Sequence, residues 1–199
     1  MWAWSSLIIG YLLGSISFSF LAGKLLKGID IRQHGSGNAG ATNTLRVLGK
    51  GPGIAVLLLD VLKGVAAVWL GYLLSGGETL FLVLSGISVI VGHNWPVFFG
   101  FRGGKGIATT IGVMVSVAFL PALLAGIAAI LSIVWTRYVS LGSLLFTALL
   151  PLFIWLMGRP VEILWLSLLL FAFALFRHRS NIVKLFKGQE NKLGSKRQA

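Results

Sequence analysis

Residues 107–134 read IATTIGVMVSVAFLPALLAGIAAILSIV, an uncharged stretch that decides how often the chain crosses a membrane. As one helix the stretch is long for a membrane span, which needs about 20 residues. Split near Pro121, it gives two pieces that are each shorter than the usual span. The choice determines which polar segments of the chain lie on the same side of the membrane.

The composition is that of an integral membrane protein. Of 199 residues, 56% are hydrophobic and only 11% are charged, and the mean hydropathy is +0.90. Charged residues make up about a quarter of an ordinary soluble domain, which could not hide so much apolar surface. The first apolar run lacks the basic start of a cleavable signal peptide, so we expect a membrane helix there. The apolar runs outside the quoted stretch lie at about 3–24, 54–75, 79–98, 140–157 and 160–176.

The distribution of basic residues decides how the quoted stretch is interpreted. The net charge is +12, and cations concentrate in the breaks after the first and third apolar runs and in the tail from Arg177. Cytoplasmic loops carry such an excess, so an even number of crossings must separate Lys105 from Arg177. We therefore expect a single all-α membrane domain over residues 1–199 with seven transmembrane helices, in which 107–120 and 122–134 form a short hairpin. Its amino terminus is expected outside and its carboxyl terminus in the cytoplasm.

The same composition excludes several functional classes. The chain has no cysteine, and hence no disulfide, thiolate nucleophile or cysteine metal site. Its basic residues sit in short breaks and not along a continuous stripe, so we expect no nucleic-acid partner. No G-x-S-x-G motif and no carboxylate pair suited to metal-dependent hydrolysis is present, so we expect neither a metal nor a cofactor. A reaction here would need an activated substrate that cations and backbone amides can bind.

The first polar segment, residues 35–53, reads GSGNAGATNTLRVLGKGPG and contains no carboxylate. Its glycines let backbone N–H groups converge, Ser36 and Thr42 add hydroxyl donors, and the Arg46 guanidinium matches phosphate oxygens. The segment is thus suited to an anion, although a flexible basic loop that only sets topology would have a similar composition. Its G-x-G-x-x-G match does not indicate a dinucleotide site, because a membrane helix and a basic loop precede it instead of a strand.

The second polar segment, residues 93–106, reads HNWPVFFGFRGGKG. Lys105 stands between glycines just before a predicted helix, where an ammonium and free helix N–H groups suit a phosphate. A lysine that only sets topology has comparable weight here, and His93 is at least as consistent with capping or packing as with ligand contact. In the neighbouring helix, Asp60 and Lys63 lie one turn apart, and we favour a structural ion pair over substrate contact for them.

The third polar segment, residues 177–192, reads RHRSNIVKLFKGQENK and follows the last apolar run. A juxtamembrane basic run ordinarily marks the cytoplasmic side. His178 and Asn181 are three residues apart and would share one side of a continuing helix, which suits a general base beside an amide donor.

Together these three segments resemble the ordered cytoplasmic motifs of the bacterial acyl-phosphate:glycerol-3-phosphate acyltransferases. The similar stretches are GSGNAGATNTLR, GHNWPVFFGFRGGKGIATTIG and RHRSNIVKLFKGQENKLG, and the resemblance covers essentially the whole chain. It implies transfer of a fatty acyl group from acyl phosphate to the 1-hydroxyl of glycerol 3-phosphate, giving lysophosphatidic acid and inorganic phosphate. It also implies a multi-pass enzyme of the bacterial inner membrane, with its active site at the cytoplasmic face.

The resemblance and the residue chemistry together give the expected site. The expected catalytic residues are His178, Lys105, Arg46 and Ser36. Contacts with substrate or phosphate are expected from Gly37, Asn38, Thr42, Asn43, Gly103, Gly104, Gly106, Ser143, Asn181, Glu190 and Lys192. The expected partners are acyl phosphate, glycerol 3-phosphate and the lipid bilayer, with a monomer as the expected state and an acyl-phosphate-forming enzyme upstream.

An organophosphate transporter is the alternative function. Transporters tend to have internal repeats and broken polar helices at the middle of the membrane. Here the polar groups cluster toward one predicted face and no long repeat is present, so the sequence favours the acyltransferase.

Overall fold

The computed structural model describes residues 2–194, and all regular secondary structure within that range is helical. The chain divides into two compact units, Met1–Val117 and Ala118–Ala199. The predicted all-α class is therefore confirmed.

The first unit contains six α-helices and three short 3-10 turns among its described residues. The helices are α1 (Ser5–Gly14), α2 (Phe18–Lys27), α3 (Ala41–Leu48), α4 (Lys50–Ser75), α5 (Thr79–Asn94) and α6 (Ile107–Val117). The turns lie at Trp2–Trp4, Ile31–Gln33 and Val97–Phe99.

The second unit contains four α-helices among its described residues. These are α7 (Phe119–Thr136), α8 (Val139–Leu156), α9 (Val161–Arg177) and α10 (Arg179–Phe186). The last two are bent by 64° relative to each other.

Five helical stretches of the described chain are long and apolar enough to cross a membrane, and a sixth results if α9 and α10 are taken as one bent span. The five are Trp2–Lys27, Lys50–Ser75, Thr79–Phe99, Phe119–Thr136 and Val139–Leu156. Helix α6 is apolar but has only 11 residues, which is short for a span. Seven crossings, with the amino terminus outside and the carboxyl terminus in the cytoplasm, remain a prediction.

The first apolar run is not the continuous helix expected over 3–24. Helix α1 ends at Gly14, and α2 begins after Ser17. The break is stabilised from a distant part of the chain, because Lys63 Nζ in α4 donates to the carbonyl oxygens of Gly14 and Ile16 at 3.1 and 3.0 Å. A buried ammonium thus satisfies carbonyl groups that the interrupted helix leaves without helical partners.

The break in the quoted stretch lies at Ala118 and not at Pro121 as expected. Ala118 has φ −151° and ψ 67°, outside the helical region. Pro121 instead lies in the first turn of α7, where the missing N–H removes no helical hydrogen bond. Proline therefore sits just inside the start of this helix instead of separating two helices.

Two polar segments also differ from their expected form. The segment 35–53 is not a continuous loop, because it contains α3 and the first residues of α4. The helix expected to continue past the last apolar run through His178 and Asn181 instead ends at Arg177, and α10 begins at Arg179. In addition, α5 ends at Asn94 and not near residue 98, because Trp95 precedes a proline and such residues disfavour the helical conformation.

Small residues bring α4 and α6 into close contact in the first unit. A side chain at Gly112 would overlap the carbonyl oxygen of Val61, and one at Gly64 would overlap that of Thr109. Backbones approach this closely only where side chains are absent. This packing holds the start of α6, which follows Lys105 directly, against the helix that carries Asp60 and Lys63.

Candidate active site

The first glycine-rich loop comprises residues 34–40, between the turn at Ile31–Gln33 and α3. The side chain of Asn43, which is 0% exposed, holds it in place. Its Oδ1 accepts from the backbone N–H of Ser36 at 2.8 Å. Its Nδ2 donates to the carbonyl oxygens of Ile31 and His34 at 3.1 and 3.0 Å. Both amide hydrogens of Asn43 are therefore engaged by the protein's own backbone. Sequence reasoning treated Asn43 as a substrate contact, whereas here it holds the loop in shape.

The other polar residues of this loop fall into an inner and an outer set. Thr44 is buried, and its hydroxyl is 2.8 Å from that of Ser19 in α2. Ser36, Gly37 and Arg46 are exposed, and Asn38 and Thr42 are half-buried. Ser36 in the loop and Arg46 in α3 are thus exposed, whereas Asn43 and Thr44 of α3 face the interior.

The second glycine-rich loop comprises residues 95–106, and it folds back onto the end of α5. The backbone N–H groups of Gly103 and Gly104 donate to the carbonyl oxygens of Asn94 and His93 at 3.2 and 3.1 Å. A side chain at Gly104 would overlap both the His93 imidazole and the carbonyl oxygen of Ala39. The two glycine-rich loops therefore touch at this point.

Gly106 ends this second loop in a conformation that favours glycine. Its φ is +83°, in the left-handed region. Its carbonyl oxygen accepts the first hydrogen bond of α6, from the N–H of Thr110 at 2.7 Å. Lys105, which precedes it, is half-buried. The predicted position of Lys105 between a glycine turn and the start of a helix is confirmed.

A buried charged chain lies beneath the second loop. Lys63 Nζ is 2.7 Å from Asp60 Oδ1, and His93 Nδ1 is 3.4 Å from the same carboxylate oxygen. All three residues are buried. The structural pairing expected for Asp60 and Lys63 is confirmed, and sequence reasoning did not connect His93 with them.

Arg32 joins the chain before the first loop to the second loop, and sequence reasoning missed it. Its Nη1 donates to the carbonyl oxygen of Phe99 at 2.7 Å, and its Nη2 is 2.8 Å from Asp30 Oδ2. The hydrogen bond from the Arg32 guanidinium lowers the pKa of the Asp30 carboxyl below its ordinary value. The spacing of Asp30 and Arg32 signals their pairing, but no local pattern signals the contact with Phe99.

The predicted residues of the second unit form their own polar cluster. Glu190 Oε1 accepts from Asn181 Nδ2 at 2.8 Å and from Ser140 Oγ at 3.1 Å, and the glutamate is buried. Ser143 lies one turn from Ser140, but its hydroxyl donates to the carbonyl oxygen of Val139 in its own helix. The cluster thus joins the start of α8, the short α10 and the segment that follows it.

His178 terminates α9 and is 2% exposed. Its Nδ1 is 2.9 Å from the carbonyl oxygen of Ala174. A carbonyl oxygen can only accept, so Nδ1 carries the hydrogen, and in the neutral ring Nε2 is the basic nitrogen.

Lys192 lies at the edge of this second unit. It is exposed, with its ammonium 5.6 Å from the centre of the Tyr138 ring. Nearby, the Arg137 guanidinium donates to the carbonyl oxygen of Leu193 at 2.8 Å, which fastens the end of the described chain to the start of α8.

Comparison with known proteins finds relatives that match nearly the whole chain. Residues 4–188 match the family model described as glycerol-3-phosphate acyltransferase. The chain is 56% identical to the glycerol-3-phosphate acyltransferase of Halalkalibacterium halodurans, with 98% of this chain and 97% of the relative covered. It is 57% identical to that of Shouchella clausii, with 96% of each covered.

Solved structures extend the similarity to the fold. The chain superposes with a TM-score of 0.92 on PlsY (YgiH), an integral membrane glycerol 3-phosphate acyltransferase, in its glycerol 3-phosphate form. The two are 42% identical, and 96% of each is covered. The lysophosphatidic acid form of PlsY gives a TM-score of 0.89 at 41% identity, with 96% of this chain and 95% of that one covered.

Proposed function

Because this chain belongs to the glycerol-3-phosphate acyltransferase family, we propose that it transfers a fatty acyl group from acyl phosphate to the 1-hydroxyl of glycerol 3-phosphate. Acyl transfer to glycerol 3-phosphate is the activity that the family supports, and acyl phosphate as donor is the finer part of the proposal. The products are lysophosphatidic acid and inorganic phosphate. The lysophosphatidic acid form of the similar PlsY agrees with this product.

The observation that carries the proposal is the contact between the two glycine-rich loops at Gly104 and Ala39. It brings the loop of Ser36, which leads into α3 and Arg46, against the loop of Lys105, and neither segment contains a carboxylate. Both substrates are phosphates, which repel each other in water and must be held together by cations and N–H donors. The two loops supply these groups within one unit of the protein.

The reaction proceeds by direct transfer in a ternary complex. The 1-hydroxyl oxygen of glycerol 3-phosphate attacks the carbonyl carbon of acyl phosphate, an ester bond forms, and the bond from that carbon to the phosphate oxygen breaks. The leaving group is inorganic phosphate, and the hydroxyl proton passes to His178 or to the substrate's own phosphate. Acyl phosphate is a mixed anhydride and already activated, so the step requires no acyl-enzyme and no metal.

Each predicted residue has a role in this scheme. Lys105 and Arg46 bind phosphate and offset the charge that develops on the leaving group, with Ser36 as a hydroxyl donor. His178 serves as proton acceptor through Nε2, since its Nδ1–H is held by the carbonyl oxygen of Ala174.

The remaining predicted residues bind or orient the substrates. Asn181 is oriented by Glu190 and presents its amide to the glycerol portion, whereas Asn43 acts through the shape of the first loop. The other proposed contacts with substrate or phosphate come from Gly37, Asn38, Thr42, Gly103, Gly104, Gly106, Ser143 and Lys192.

The enzyme is an integral membrane protein, and we infer that it lies in the bacterial inner membrane as a monomer. The bias of Lys and Arg toward the three polar segments supports a site that faces the cytoplasm. Acyl phosphate is reactive toward water, so an enzyme that forms it must act immediately upstream.

The donor is tested with purified protein in detergent and labelled glycerol 3-phosphate. One set of reactions contains palmitoyl phosphate, the other palmitoyl coenzyme A, and each set is run with and without a metal chelator. Labelled lysophosphatidic acid should form from palmitoyl phosphate alone. Product from palmitoyl coenzyme A at an equal rate would refute the proposed donor, and loss of product with chelator would refute the metal-free step.

A further inference from the structure

The buried chain of Lys63, Asp60 and His93 has no part in the scheme above. Their exposed fractions are 2%, 1% and 7%. Removing two charges from water costs several kcal/mol per ion, and replacing such a pair by well-packed apolar residues is often neutral or stabilising. A contribution to stability therefore does not explain why this ion pair is buried, and its contacts indicate a different explanation.

Lys63 and His93, the two ends of this buried chain, lie next to different parts of the protein. At one end Lys63 Nζ donates to the carbonyl oxygens of Gly14 and Ile16, at the break between α1 and α2. At the other end the His93 Nδ1 lies 3.4 Å from Asp60 Oδ1. The carboxylate thereby sets the orientation of the imidazole ring.

The opposite edge of the His93 ring supports the second glycine-rich loop. Its Nε2 and Cε1 occupy the space that a side chain at Gly104 would take, and the carbonyl oxygen of Ala39 lies on the other side of that space. The backbone of His93 contributes as well, because its carbonyl oxygen accepts from the N–H of Gly104 at 3.1 Å. One residue thus contacts Gly104 with both its ring and its backbone, immediately before Lys105.

We propose that His93 is a positioning residue for the acyl transfer. The Lys63–Asp60 pair orients its imidazole, and the imidazole holds the Gly103–Gly104 backbone against Ala39. This places Lys105 and the first loop correctly for the phosphate of glycerol 3-phosphate. The inference rests on the proposed function, because its main measurement is the use of glycerol 3-phosphate.

His93→Asn tests the proposal without removing the buried pair. Asparagine keeps an N–H donor near the position of Nδ1, facing Asp60, and removes the half of the ring that supports Gly104. We expect kcat/KM for glycerol 3-phosphate to fall about 10- to 100-fold, mainly through a higher KM, because misplacement by about 1 Å can cost a factor of about 100. His34→Asn is the matched control, since the His34 side chain is exposed, and it should leave both constants unchanged.

Gly104→Ala disturbs the same contact from the other side. Its methyl group would displace the loop from the imidazole and from the carbonyl oxygen of Ala39, so the KM for glycerol 3-phosphate should rise here too. Asparagine at 93 frees part of the space that the methyl group needs. The effects of His93→Asn and Gly104→Ala on KM should therefore be less than additive in the double variant, whereas independent sites would add.

The outcomes separate failure of the inference from failure of the proposed function. Wild-type protein that binds no glycerol 3-phosphate in calorimetry and forms no product would overturn the function. Active wild type with an unchanged KM in His93→Asn, a loss confined to kcat, or strictly additive effects would overturn the positioning role. If His93→Asn does not fold, His93→Ser takes its place, because it keeps a hydroxyl donor and also removes the ring, and an unchanged KM there overturns the positioning role.

Discussion

Asn43→Ala should open the first glycine-rich loop. The asparagine amide makes three hydrogen bonds with the backbone of residues 31–36 and is fully buried. Alanine removes all three without adding bulk. The loop that carries Ser36 would then lose its internal fastening while the helices around it remain.

The free-energy cost of Asn43→Ala depends on whether each backbone group that loses the amide keeps another hydrogen-bond partner or can bind water. Ile31 is fully buried, but its carbonyl oxygen also accepts from the N–H of His34 at 3.2 Å, so it keeps a partner and loses only the net value of one hydrogen bond, about 0.5 to 1.5 kcal/mol. His34 and Ser36 are exposed, so their backbone groups would rehydrate, and each loses only the net value of a hydrogen bond, about 0.5 to 1.5 kcal/mol. The sum is about 1.5 to 4.5 kcal/mol, and even its lower limit raises the equilibrium constant for loop opening about 10-fold.

Hydrogen exchange measured by mass spectrometry tests this directly in detergent. Peptides that cover residues 31–43 should exchange at least about 10-fold faster in Asn43→Ala, while peptides from α4 and α5 keep the wild-type rate. Asn38→Ala is the control, because it removes the same amide from the same loop at a half-buried position. Wild-type exchange in Asn43→Ala, or equal effects of the two substitutions, would refute the role assigned to Asn43.

Three further predictions address the second unit and the Asp30–Arg32 pair. His178→Ala should lower kcat at least about 100-fold while the KM for glycerol 3-phosphate changes little, as expected on loss of a general base. Steady-state kinetics measure both constants, and an unchanged kcat would remove His178 from that role. Glu190→Gln keeps an oxygen to accept from Asn181 and should retain much more activity than Glu190→Ala in the same assay; equal losses would contradict the orienting role. Because the hydrogen bond from Arg32 lowers the pKa of Asp30, the pair stabilises the fold at neutral pH and loses its effect as the pH falls below about 4. Asp30→Asn should thus lower the Tm at pH 7, and the difference should shrink as the pH is lowered from 4 toward 2; a difference that stays constant over this range would contradict the ion pair.

Local sequence patterns predicted the features that depend on neighbouring residues. The later apolar runs at 140–157 and 160–176 match α8 and α9 to within a residue at each end, because hydropathy and helix-breaking residues act over short distances. The pairing of Asp60 with Lys63 was also accessible, since residues three apart face each other on a helix. The glycines around Lys105 likewise indicated a tight turn before a helix.

Features that depend on distant residues could not be read from the sequence. The break after Gly14 requires Lys63, which follows it by 49 residues. The structural role of Asn43 depends on the path of a loop that curves back toward Ile31. Pro121 looked like a helix breaker because proline is tolerated at the start of a helix as well as between helices, and only the conformation of Ala118 distinguishes the two.

The positions of Asp60 and Lys63 in α4 explain how one buried ion pair can contact two different parts of the protein. Lys63 has the longer side chain and three N–H donors, which suits it to the carbonyl groups at the break between α1 and α2. Asp60 has only acceptors, which suits it to the N–H of His93 on the other side. With the charges exchanged, carboxylate oxygens would face the carbonyl oxygens of Gly14 and Ile16, and no acceptor would orient the imidazole. The pair is therefore directional: it links an interrupted helix to the glycine loop, which an apolar pair of the same size could not do.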